Sequence, residues 1–164
     1  MVAAASAPVL GSGSVETIFA ELLAVFKEQS QYIYDQYKVL KHGSEPKLSQ
    51  HLGPKFRDVA KAVFKTKNTS AMTGKEFSQQ MSKLEATLPP LMETLSQLGH
   101  DAKYAAFGPK AEQISQVRSS VFAVMSQHLP LAEGNVLGAR AIADVFTSLV
   151  NVIAETSTVC TDVL

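Results

Sequence analysis

Apolar residues recur at intervals of three and four along almost the whole chain, and nowhere do they alternate over several residues as a half-buried strand requires. The first such run comes after Ser14, a predicted N-cap with Glu16 in the first turn, and puts Val15, Ile18, Phe19, Leu22, Leu23 and Phe26 on one face. A second helical stretch holds Tyr32, Ile33, Tyr37 and Leu40 and breaks at His42-Gly43-Ser44-Glu45-Pro46. Gly43 permits a helix-ending conformation there, and Pro46 suits the first turn of a new helix. The pattern then predicts a short helix over 46–52, a corner at Gly53-Pro54, a helical stretch from Phe56 to Phe64 and a polar loop from Lys65 to Ser70. A further helix from about Ala71 to Leu88 must stop at Pro89-Pro90, because proline lacks a donor and clashes with the preceding turn.

A new helix restarts at those prolines and extends to His100, and Phe107-Gly108-Pro109 reads as another corner. Two strongly apolar helices complete the pattern. One carries Ile114, Val117, Val121, Phe122 and Met125 and is closed by Pro130; the other runs from Val136 to about Thr158. Phe122, Met125, Phe146, Leu149 and Val150 are the expected seam between them. The predicted fold class is all-α, and the lack of an internal repeat disfavours a solenoid.

Composition narrows this picture. A chain of 164 residues, 46% hydrophobic and 18% charged, has the size of one domain with a single core. The expected organisation is a flexible N-terminal tail over 1–14, which carries no charged residue, and one helical domain over 15–164. The 15 Lys and Arg balance 15 Asp and Glu, so no net field favours nucleic acid or an anionic membrane as partner. No uninterrupted apolar segment reaches the ~18 residues that cross a bilayer. Cys160 is the single cysteine, which excludes an internal disulfide, fits a reducing cytoplasmic compartment and reads as an inert thiol near a frayed terminus.

Enzyme constellations are missing: there is no glycine-rich phosphate loop after a strand, no nucleophile elbow and no Cys/His pair with an orienting partner. The expectation is a protein that is not an enzyme. Among the four histidines, His42 and His51 flank the Pro46 corner and read as surface residues, while His128 sits at a helix end. None pairs with a second ligand at helical spacing, so a zinc site has no support. His100, after the apolar series Leu91, Leu95 and Leu98, is the candidate metal ligand.

The segment Leu95-Ser96-Gln97-Leu98-Gly99-His100, followed by Phe107-Gly108-Pro109 and two long helices, resembles the proximal-histidine helix and the C-terminal helices of the globin family. Thr73-Gly74-Lys75-Glu76-Phe77-Ser78-Gln79-Gln80-Met81 is similar to the distal globin helix, and Pro46 resembles the proline that opens the short third helix. The resemblance implies a globin-like fold of about six to eight helices holding haem (iron protoporphyrin IX). In that reading His100 is the iron ligand, with the Ser96 hydroxyl one turn earlier as an acceptor for its other nitrogen. Thr73 stands where the family has its distal histidine, and Leu52 where it has a haem-wedging phenylalanine; Phe77 and Phe107 would line the pocket. The implied activity is reversible binding of a diatomic gas such as oxygen for transport, storage or sensing, in a protein that is compatible with homo-oligomers. Two other classes stay open: a haem-free helical bundle acting as an interaction or regulatory module, and a lipid-binding helical protein.

Overall fold

A computed structural model describes residues 15–67, 74–128 and 136–164. The 1–14 tail, the Ser14 cap, Thr73 and Pro130 therefore lie outside the described residues, as does half of the expected 65–70 loop, whose first half, 65–67, is instead the last turn of a helix. All regular structure among the described residues is helical, so the chain is all-α.

Helix α1, Val15–Lys41, is unbroken for 27 residues, about 40 Å at 1.5 Å per residue. The two helical stretches expected here are one, because Lys27-Glu28-Gln29-Ser30-Gln31 between them holds neither glycine nor proline to stop the ladder. Its buried stripe is Ile18, Leu22, Phe26, Ile33, Tyr37 and Leu40, at the spacing of one helical face. Ser30 is buried with them and its hydroxyl donates to the Lys27 carbonyl at 3.2 Å, which satisfies that polar group within its own helix.

The expected corner at Gly53-Pro54 is absent. A π-helical turn, Lys47–Leu52, passes directly into α2, Gly53–Lys67. Proline in a regular helix would lose one hydrogen bond and meet a carbonyl one turn back. The wider turn relieves this: Gly53 N–H donates to the Leu48 carbonyl five residues back, and Pro54 comes next without a donor to place. An added Cβ on Gly53 would sit tightly, at 3.3 Å, against the Leu48 carbonyl of the wide turn and at ordinary contact distance, 3.7 Å, from the Tyr37 ring of α1.

Helix α3, Gly74–Glu85, packs against α2, and α4, Leu88–Leu98, restarts with Pro89 and Pro90 in its first turn. The chain then turns through a 3-10 segment, Ala102–Tyr104, into α5, Phe107–His128, and α6, Val136–Asp162. Phe107-Gly108-Pro109 opens α5 and forms no corner; the corner is the preceding stretch from Gly99 to Ala106. Five helices reach twelve residues or more, α1, α2, α3, α5 and α6. This is fewer long helices than the six to eight expected, mainly because the two N-terminal stretches fuse.

The helices close into a ring around one apolar cluster: α1 packs on α2 and α6, α6 on α5, α5 on α4, and α4 on the π-helical turn and α2. Helices α1 and α6 run parallel. Polar pairs along their shared rim advance together in both, from Glu21 with Arg140 (3.2 Å) through Gln29 with Asn151 (2.8 Å) and Tyr32 with Thr158 to Gln36 with Thr161 (2.9 Å). By length and composition α6 is apolar enough to cross a membrane, yet most of it is buried in this bundle. Only a stripe that includes Leu137, Arg140, Asp144, Ser148, Glu155 and Asp162 faces solvent.

Two expectations about the C-terminal helices change. Phe122 is 49% exposed and stands outside the seam with α6. The buried stripe of α5 is Phe107, Ala111, Ile114 and Val121, and Phe122 is one residue beyond Val121, about 100° around the helix. Cys160 is not at a frayed end; α6 packs to its last turn, and burial pushes the thiol well above its ordinary range.

Gly99 sets how closely the end of α4 meets the backbone at the start of α5. A Cβ on Gly99 would lie 2.8 Å from the Gly108 backbone nitrogen, and backbone cannot rotate away as a side chain does. Gly99→Ala is expected to cost about 1–3 kcal/mol by overpacking, measured as a lower urea midpoint at unchanged slope. Gly108→Ala, where an added Cβ meets nothing within 4 Å, is the control and loses little by that route.

Candidate functional site

Three of the five sequence-predicted residues, His100, Leu52 and Phe107, lie in or beside the elements that meet between the α1–α2 and α4–α5 connections. His100 stands in the turn two residues past α4, with its backbone N–H donating to the Gln97 carbonyl at 3.3 Å. Its side chain is exposed. Leu52 ends the π-helical turn and Phe107 begins α5, and both are 0% exposed, as is Leu95 one turn before the α4 terminus. All three belong to the same buried cluster. No water-sized gap lies against these three side chains, which are core residues at this end of the bundle. Phe77 lies in α3, Ser96 is exposed on α4, and Thr73 falls outside the described residues.

Over this packed end lies an ionic clasp that the sequence did not suggest. Lys103 pairs with Glu45 at 3.1 Å, and Lys47 pairs with Asp101 at 3.6 Å. Each pair joins the corner after α1 to the corner after α4. The Asp101 carboxylate also accepts from the Lys103 backbone N–H at 3.0 Å, which starts the 3-10 turn. Lys103 beside Glu45 holds that carboxyl below the usual carboxylate range, and the same contact holds the Lys103 ammonium above its own. Both pairs are largely solvated, so they fix the meeting of the two corners more than they add stability.

Tyr104 sits beneath the clasp, stacked on Phe107 with ring centroids 5.2 Å apart. Its hydroxyl is buried close to Glu45 and Lys103 without a well-formed hydrogen bond to either. Burial, then the neighbouring Glu45 carboxylate, pushes the phenol above its ordinary range. An ionised tyrosine is disfavoured here, and the ring serves as packing.

Two other places gather polar chemistry. On α5, Arg118 lies over the Phe122 ring at 5.0 Å. It also opposes the upward pull of burial on the Glu85 carboxyl. Between α1 and α6, a shallow groove of about 360 Å³ is lined by Ala24, Val25, Glu28, Gln29, Thr147 and Asn151. It occupies the interval between the Glu21–Arg140 and Gln29–Asn151 rungs, where small side chains leave a notch. Among the described residues, no three of the His, Cys, Asp and Glu side chains come together as a metal-ligand set.

The clasp was not legible in advance because its partners lie 58 residues apart for Glu45 and Lys103, and no local pattern marks such a pairing. The packing of Leu52 and Phe107 was legible only as apolar character, which suits a pocket wall and a solid core equally. Comparison with protein-family models, with curated proteins and with solved structures finds no match to this chain.

Proposed function

We propose that this chain is a haem-free helical module that acts through its outer surface, as an interaction or regulatory element. One observation carries the reading: Leu52 and Phe107, two of the expected pocket residues, are fully buried in the core cluster, while His100 faces solvent. Ligand sites are concave and lined by convergent polar groups. The polar groups here lie instead on outer faces, in the clasp and along the α1–α6 rim.

Haem held by His100 is the second reading, and it draws on the same junction. The His100 turn lies where α4 meets both α5, which begins at Phe107, and the π-helical turn, which ends at Leu52. Gly99 lets the two helix ends come together, its Cα side facing the Gly108 backbone. A porphyrin would enter only if Leu52 and Phe107 parted.

Adding haemin to the purified protein separates the two readings. The surface-acting module is expected to leave the haemin spectrum and its own melting temperature unchanged. Haem that bound the folded state would stabilise it by about 2.7 kcal/mol at a hundredfold excess over its Kd. A bound-haem spectrum, with a matching rise in melting temperature that His100→Ala abolishes, would overturn the proposal in favour of the second reading.

A further inference from the structure

The balance of 15 basic and 15 acidic residues hides a strong separation of charge in space. On α1, Glu21, Glu28 and Asp35 recur every seven residues and share one exposed strip. That strip borders α6, since Glu21 pairs with Arg140 and Glu28 lines the groove with Thr147 and Asn151. The exposed stripe of α6 continues it with Asp144, Glu155 and Asp162, against Arg140 on the same stripe and Lys110 of α5, 3.8 Å from Glu155. Lys27, Lys38 and Lys41 occupy the opposite strip of α1. This second strip borders α2: Lys38 lies over Tyr34 at 5.1 Å, Tyr34 packs on Tyr37 at 5.4 Å, and Tyr37 meets Gly53. Helix α2 itself carries Lys55, Arg57 and Lys61 against Asp58 alone. The layer α2–α1–α6 therefore has a basic edge and an acidic edge, with the outer face of α1 between them.

We propose that this layer is the interface of a salt-sensitive dimer of the chain with a second copy of itself. A two-fold axis parallel to α1 lays each copy's α2 edge over the other's α6 edge, so both edges meet opposite charge at once and the contact closes on itself. No other occupant is as fully described by the molecule, because the complementary surface is already present on the same chain. The face is large enough. Helix α1 is about 40 Å long, and three helices spaced about 8–10 Å apart make a layer roughly 20 Å across. Helix α2, 15 residues long, spans only about 22 Å, so the face comes to on the order of 600 Å² per copy, the lower end of a standard specific interface. The notch at Ala24, Val25 and Thr147 gives the centre of the face a shallow depression. Tyr32, Tyr34 and Val39 add exposed apolar surface on α1, and the charged edges on either side make the association sensitive to ionic strength. The inference rests on the surface-acting reading of the chain.

Sedimentation velocity on the full chain tests it, at about 0.01 M and about 1 M salt, where the screening length falls from roughly 30 to 3 Å. The expected result is a dimer at low salt that dissociates at high salt. Two variants reverse one edge each: Glu28→Lys with Asp35→Lys, and Lys38→Glu with Lys61→Glu. All four side chains are exposed, and circular dichroism verifies that each variant keeps its helicity. Each alone should weaken self-association by more than about tenfold, whereas mixing the two should restore a heterodimer, because each reversed edge then faces its complement. A wild type that is monomeric at low salt at every concentration overturns the proposal, as does a dimer indifferent to salt and to both reversals. A strictly monomeric wild type that binds a polylysine peptide would assign the acidic edge to a basic partner and equally overturn the dimer. Haemin uptake without change in the dimer would instead remove the surface-acting reading alone.

Discussion

Phe146→Ala lowers the unfolding free energy by about 3–5 kcal/mol, while Phe122→Ala, on the neighbouring helix and equally apolar in sequence, lowers it by no more than about 1 kcal/mol. The difference follows from burial. Phe146 is 1% exposed on α6, whereas Phe122 is 49% exposed and its ring contact is with Arg118. Removing the first ring loses its transfer free energy and leaves a cavity that the surrounding helices can only partly fill. Removing the second loses a solvated contact between a cation and a ring. For a chain of this length each kcal/mol corresponds to about 2–4 °C in melting temperature, so the two variants are readily separated by thermal unfolding. Equal destabilisation would place Phe122 inside the α5–α6 seam after all.

Phe122 also shows why the pattern of the sequence yields some features and not others. Val121 and Phe122 are both apolar neighbours on a helix whose buried stripe is narrow, so periodicity alone admits either one as the inward residue. Ala111 and Ile114 resolve the choice, but only once the direction of the stripe is known. The helical class and an interruption near Pro89-Pro90 were legible, because a missing N–H and a ring clash act locally, though the break falls earlier, between Glu85 and Leu88, and the prolines stand in the first turn of α4. The continuous path through Gly53-Pro54 was not. A local rule predicts a corner there, and the chain instead widens one turn so that α2 keeps its packing against α1. The fusion of the N-terminal stretches could have been read, since nothing between Phe26 and Tyr32 breaks a helix. The clasp of Glu45, Lys47, Asp101 and Lys103 and the two charged edges of the α2–α1–α6 layer exist only through the arrangement of distant segments, and no spacing in the sequence announces either.

Leu52 bears most directly on what the chain does. Leu52→Ala is expected to destabilise the protein, purified without haem, by about 2–5 kcal/mol, a large part of the roughly 5–15 kcal/mol that holds a domain together. The cost arises because Leu52 is 0% exposed, at the end of the π-helical turn and in the same cluster as Leu95 and Phe107. A leucine lining an open cofactor cavity would already lack packing partners on one side, and truncating it in the cofactor-free protein would lose correspondingly little. Chemical denaturation of the colourless protein therefore reads the state of this junction without any ligand being present. A loss at the upper end of the range, with an unchanged denaturant slope, supports a solid core beneath the His100 turn. A loss below about 1 kcal/mol, the scale of an ordinary solvent-facing substitution, would mean that the space beside Leu52 is open in solution, and would return haem ligation by His100 to first place.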